Sequence, residues 1–216
     1  PLTGWQEYRD GIWQVPLPEG VKTRQVFENR VRMTLARTPK RGYHYAEAGV
    51  ESAEQTVFRY EAGALNPEAW DIGDASVYIF PTYDWANAEL PVDSIDPVSR
   101  TIRLRGRTDE VKPGNRYFVR NVLALLSEPG ECQIDMAQGY VYCMPRLTPV
   151  EAQAIVVSTL DCVAGIQGEP GGRPVVNVHI VGLNLGIAEG NVVTISRAKR
   201  CSIRGCLIEN GGGNGV

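Results

Sequence analysis

The chain has 216 residues, 43% of them hydrophobic and 22% charged, with a formal net charge of −3. That length suits one or two domains with a real core. The charge balance offers no clustered Lys and Arg of the kind a phosphate backbone requires, so nucleic acid is not an expected partner. No apolar run is long enough to suggest membrane insertion.

In chain order the first 150 residues read as short β-strands. Residues 5–8 and 12–15 flank Asp10-Gly11, whose chemistry suits a tight hairpin turn. Pro16, Pro18 and Gly20 stop the second strand. Residues 23–27 and 30–35 predict a second hairpin about Glu28-Asn29. Residues 36–53 read as a loop holding Arg37, Tyr43, His44 and Tyr45. Residues 56–60, 76–80, 92–95, 101–104 and 116–121 read as strands. Pro67 suits the start of one helical turn over residues 65–70, and residues 122–126 fit either a strand or a short helix. Residues 132–135 and 140–144 form a hairpin about Ala137-Gln138-Gly139. Many short strands with frequent turn signals point to an antiparallel sandwich or barrel.

A compositional boundary falls at residue 151. All 17 Trp, Tyr and Phe residues precede it, whereas 12 of the 23 Gly follow it. Beyond a transitional stretch, in which residues 154–157 and 162–166 read as strands of an imperfect first coil, the sequence repeats with an offset of 23. Ile180/Ile203, Gly182/Gly205, Gly190/Gly213, Asn191/Asn214 and Val193/Val216 are identical on that one shift. The apolar positions 178, 180, 183 and 185 alternate as in strands, and Gly interrupts each run. Each repeat therefore reads as one coil of a parallel β-helix with those positions inward. Asn191, Asn210 and Asn214 suit coil corners. About three such coils are needed for stability, so the chain is expected to be part of a longer protein. The expected organisation is lead-in strands over 1–22, an antiparallel β-domain over 23–150 and the start of the β-helix over 151–216.

The five Cys residues (Cys132, Cys143, Cys162, Cys201, Cys206) form no CxxC pair, and His44 and His179 are the two histidines. A structural zinc site is not expected. An odd count argues against a full disulfide framework, and the state of Cys132 and Cys143 stays open.

Local strings along nearly the whole chain resemble bacterial right-handed parallel β-helix proteins of the pectate-lyase-like superfamily, in particular a glycoside-hydrolase-like branch with a β-domain inserted near the start of the helix. They are Gly4-Trp5 with Gly11-Ile12-Trp13, Arg24 to Asn29 with Ala36 to Pro39, Tyr117 to Asn121, Pro129-Gly130-Glu131 with Asp135, Gly139, Tyr142 and Pro145, and Gly182-Leu183. Cys132-Gln133 and Cys143-Met144 stand where that group usually has aromatics. The resemblance implies an all-β chain with an antiparallel sandwich or barrel-like domain followed by the first coils of the helix. It also implies a polysaccharide or oligosaccharide partner and a secreted, periplasmic or cell-surface location.

Glycoside hydrolysis needs two carboxyl groups about 5 Å or 6.5–9.5 Å apart across the sugar bond. The offset of 23 takes Glu189 to Gly212, so no stacked carboxylate pair emerges. Glu209 is the single catalytic candidate, with a solvated turn residue as the competing reading. Arg37, Tyr43, His44 and Tyr45 are the candidate substrate-binding group, since aromatics with a cation and an imidazole can stack on and hydrogen-bond a sugar. No cofactor is expected; a lyase, as the third alternative, would call for Ca²⁺. The leading expectation is the N-terminal part of a glycoside hydrolase, inactive alone. The alternative is a non-catalytic extracellular adhesin, surface or carbohydrate-binding protein.

Overall fold

The computed structural model describes residues 1–49, 55–83 and 85–216. Among them no α-helix forms, and two single-turn 3-10 helices, Leu123–Leu125 and Val150–Ala152, interrupt the strands. The strands through residue 144 are β1 (Gln6–Arg9), β2 (Ile12–Pro16), β3 (Val26–Glu28), β4 (Val31–Arg32), β5 (Thr34–Leu35), β6 (Arg37–Thr38), β7 (His44–Gly49), β8 (Val57–Tyr60), β9 (Ser76–Ile79), β10 (Ala88–Asp96), β11 (Thr101–Leu104), β12 (Arg116–Arg120), β13 (Glu131–Asp135) and β14 (Tyr140–Met144). Then come β15 (Ile155–Val157), β16 (Ala164–Gln167), β17 (Val175–Val176), β18 (His179–Val181), β19 (Asn184–Ala188), β20 (Val193–Ser196), β21 (Ala198–Lys199), β22 (Ser202–Arg204) and β23 (Leu207–Gly211). They fall into two compact units. One comprises Gly4–Glu19 and Thr34–Val150; the other comprises Pro1–Thr3, Gly20–Met33 and Glu151–Val216.

The first unit contains a closed antiparallel barrel of six strands, in the order β12-β7-β8-β11-β10-β9 and back to β12. Closure leaves the barrel no unpaired edge. Period-2 alternation sends Phe58, Tyr60, Val77, Ile79, Ile102, Leu104, Tyr117 and Val119 inward, where they form one core. Phe58 and Tyr117 meet edge to face with ring centroids 4.9 Å apart. Burying such side chains contributes roughly 1.5–3 kcal/mol each relative to leaving them in water. A five-stranded sheet, β1-β2-β14-β13-β5, completes the unit, with β5 parallel to β13. Cys132 and Cys143 stand opposite one another in its central hairpin, buried and not joined. Asn121 extends the pairing: its side chain accepts the Ile134 N–H at 2.8 Å and donates to the Ile134 carbonyl at 2.8 Å.

Three local expectations are corrected here. Residues 36–49 are not a loop but carry β6 and β7; residues 50–54 lie outside the described residues. In β7 only Ala46 is buried, so the segment lacks bulky alternation and becomes a strand because β8 and β12 offer it partners. The hairpin turn falls at Asn29-Arg30, both left-handed (φ 50° and 68°), rather than at Glu28-Asn29. Buried Glu28 stays in the ladder, paired with Val31 and Ile155. β15 was expected in a coil and instead pairs antiparallel with β3.

The second unit holds that three-stranded sheet and four parallel strand pairs: β16 with β20, β17 with β21, β18 with β22, and β19 with β23. Ile180 is the register partner of Ile203, and Leu185 of Ile208. The last three pairs keep an offset of 23, whereas Ala164 pairs with Val193, an offset of 193 − 164 = 29. Left-handed corners recur at the same step: Asn177 and Arg200, Gly182 and Gly205, Ile187 and Asn210 all have φ between 54° and 68°. Side chains also bridge one step. Arg200 Nε donates to Asn177 Oδ1 at 2.9 Å, and the Asn214 N–H to Asn191 Oδ1 at 2.8 Å. Leu185, Ala188, Val192 and Val193 form the core with Ile180, Ile203 and Ile208. Val178 and Leu183, expected inward, are 39% and 51% exposed. Each directly follows a left-handed corner, Asn177 and Gly182, which takes it out of the strand alternation.

Candidate functional site

The outward face of the barrel strands β9 and β12 is built by the same alternation that fills the core. With Val77, Ile79, Tyr117 and Val119 inward, Tyr78, Phe80, Arg116, Phe118 and Arg120 point out. Tyr78 is the cross-strand partner of Phe118, and their rings stack at 5.0 Å and 5°. The Arg37 guanidinium lies 3.7 Å from the Phe118 centroid, and that of Arg120 lies 5.7 Å from Tyr78. Arg116 sits 4.1 Å from the Phe80 centroid and 5.1 Å from that of Tyr43. Cations over ring faces are attracted by the ring quadrupole, at about 0.5–2 kcal/mol each. The result is a plate of alternating guanidinium and aromatic layers.

Arg37 is pinned from two directions. Its Nε donates to the Pro39 carbonyl at 2.9 Å and its Nη2 to the Gly42 carbonyl, which fixes the turn between β6 and β7. Glu89 holds Arg120, accepting from its Nε at 2.8 Å, and also accepts from Ser76 Oγ at 2.7 Å. His44 leaves the plate. It hydrogen-bonds Thr38 Oγ1 through Nε2 at 3.0 Å and packs its ring 5.7 Å from Tyr117. Burial, and then the charge of Arg37, lowers the His44 pKa below the ordinary histidine value, so the imidazole is neutral at pH 7. Tyr45, the next residue along β7, is exposed.

Of the four sequence-derived binding candidates, the structure thus brings Arg37 and Tyr43 onto one plate, sets Tyr45 at its edge as the cross-strand partner of Arg116, and turns His44 away from it, opposite Tyr117. Tyr78, Phe80, Phe118, Arg116 and Arg120 were not among the candidates. The alternation of Ser76 to Phe80 and of Arg116 to Arg120 carried the signal, since it puts three rings and two cations on the face opposite the valines. This plate can bind flat or apolar ligand surfaces.

Two carboxylates of the second unit, Glu189 and Glu209, are engaged. Glu209, in β23, accepts from Arg30 Nε at 2.8 Å, and Arg30 Nη2 also donates to Asn184 Oδ1 at 2.9 Å. Glu189 accepts from the Arg24 N–H at 3.0 Å, Arg24 Nε at 3.1 Å, Thr23 Oγ1 at 3.1 Å and Ser158 Oγ. Burial alone would push the Glu189 pKa up. The hydrogen bonds from Ser158, Arg24 and Thr23 outweigh it and hold the carboxyl below its ordinary value. A glycosidase general acid needs the opposite shift. In the ladder Glu209 stands beside Gly186. Among the described residues no three His, Cys, Asp or Glu side chains gather into a metal-binding group, and no helix is long and apolar enough to cross a membrane.

No protein-family model matches this chain, and no curated protein matches it. One solved structure, of a glycoside hydrolase, superposes on 87% of this chain and 35% of its own, with a TM-score of 0.71 at 17% sequence identity. The two share a fold, and this chain spans about a third of that protein's length.

Proposed function

We propose that this chain is the N-terminal part of a carbohydrate-active protein, a glycoside hydrolase of the right-handed parallel β-helix, pectate-lyase-like class, with polysaccharide as its partner. The observation that carries this reading is the fold shared with a glycoside hydrolase over 87% of the chain. The parallel pairs at a constant 23-residue step, with left-handed corners at the same step, support stacked coils. In this reading the barrel is the inserted domain and supplies binding surface. The acid and base lie on coils outside this stretch, since Glu189 is held ionised by its donors and Glu209 is paired with Arg30. The working place is outside the cytoplasm, where polysaccharide is met.

Affinity electrophoresis of the chain through gels containing neutral or acidic polysaccharides, with a parallel reducing-sugar assay, tests this. The expected result is retardation by at least one polysaccharide and no sugar release. Sugar release by the chain alone would overturn the division of labour. Migration unaffected by every polysaccharide would overturn the carbohydrate partner and favour a purely structural surface protein.

A further inference from the structure

The connection from β9 to β10 departs from the economy of the rest of the barrel. It places two aromatic rings in water: Trp85 is 82% exposed and Tyr83 56% exposed. They stack on one another, with centroids 5.8 Å apart and ring planes 20° apart. Exposed aromatic surface of this size usually marks a contact site.

Thr82, just before the pair, is left-handed at φ 52°, a genuine outlier for a β-branched residue. Its N–H and its hydroxyl both donate to the Glu110 carbonyl, at 3.0 and 2.9 Å. Strain of this kind persists where surrounding contacts over-determine it, and it gathers at ligand sites. After the pair, the Ala86 N–H returns to the Tyr83 carbonyl at 3.3 Å.

The same loop walls a cleft of about 380 Å³, within the size range of small-ligand sites. Pro81 and Asn87 come from the loop; Gln55, Arg107, Thr108 and Asp109 face them. Arg107 Nε donates to Gln55 Oε1 at 3.3 Å, which orients the two planar groups. Thr108 is 6% exposed, and its hydroxyl has no hydrogen-bond partner among the described residues. A buried hydroxyl of that kind costs free energy unless something binds it.

We propose that the Tyr83–Trp85 pair and this cleft form a binding subsite for a pyranose unit of a neutral polysaccharide chain. The aromatic faces carry negative quadrupole charge and meet the polarised C–H face of a sugar ring. Amide, guanidinium and carboxylate groups suit neighbouring hydroxyls, which donate and accept together. Arg107 and Asp109 cancel in charge, which favours a neutral sugar over a uronate. The proposal rests on the carbohydrate reading above and names the place on the barrel where it acts.

The test is affinity electrophoresis and titration calorimetry of the chain with neutral and uronate polysaccharides, using Trp85→Ala, Trp85→Phe and Thr108→Val. Trp85 is solvent-exposed, so unchanged thermal midpoints will show that the fold is intact. Trp85→Ala is expected to weaken binding of a neutral polysaccharide at least tenfold, Trp85→Phe to retain part of it, and Thr108→Val to lose several-fold. If the wild-type chain binds and Trp85→Ala binds equally well, the subsite is wrong while the carbohydrate reading stands. If the wild-type chain binds nothing, the carbohydrate reading falls and the subsite with it. Binding confined to uronate polysaccharides, or a Trp85-dependent self-association without saccharide binding, would also overturn the assignment.

Discussion

In the barrel, Phe58, Val77, Ile79, Val92, Ile102, Tyr117 and Val119 are wholly buried, and every strand has a neighbour on both sides. Along the parallel pairs, Val178, Val181, Leu183, Ile195 and Leu207 are 39–56% exposed, and each strand has one neighbour. The barrel closes its own hydrogen bonds and its own core. Each strand of the parallel pairs draws its backbone hydrogen bonds from a single partner. The two units are therefore expected to respond differently to the same chemical insult.

The largest contrast should come from deleting a core side chain in each. Phe58→Ala is expected to destabilise the barrel by about 4 kcal/mol. Ile203→Ala, in a half-buried stack, should cost about 1–2 kcal/mol. Denaturant titration with hydrogen exchange resolved by unit would measure both. Equal losses would erase the contrast.

Gly212→Ala should come next, at about 2 kcal/mol. A Cβ there would run into the Glu189 carbonyl, a backbone atom that cannot swing aside. Exchange protection should fall in β19 and β23 and stay intact in the barrel. Loss of protection in β8 and β11 instead would mean that the units do not open separately.

The smallest effect is set by pH. Glu189 binds its proton less tightly folded than unfolded, because its carboxylate accepts four hydrogen bonds. Its contribution is complete above the unfolded glutamate pKa, about 4.3, and drains as pH falls from there through the lower folded value. Glu189→Gln should make the stacked strands less stable at pH 7 and less sensitive to acid below pH 4. An unchanged acid profile would assign the sensitivity to other carboxylates.

What could be read from the sequence follows the same division. The stacked strands were legible because the register is internal to the repeat: Ile180 and Ile203 align in the sequence and pair in space. Barrel strands such as those at 56–60 and 101–104 were legible one by one, but their closure through β9 and β12 joins residues some forty positions apart, which no local pattern encodes. β7 was missed because Ala46 alone marks its inner face. Trp85 was visible as a residue; its exposure was not, since that depends on how Thr82 and Glu110 hold the loop. Glu209 was a fair candidate by type, and only the fold reveals that Arg30, 179 positions away, already occupies it.

The first parallel pair is offset by six residues more than the others, 29 − 23, and the Gln167 to Val175 stretch absorbs them with the ladder undisturbed. Length can therefore be added at a bend without shifting any rung. Parallel pairing of this kind tolerates an insertion between strands, so a loop can lengthen at that bend while the paired strands on either side stay aligned.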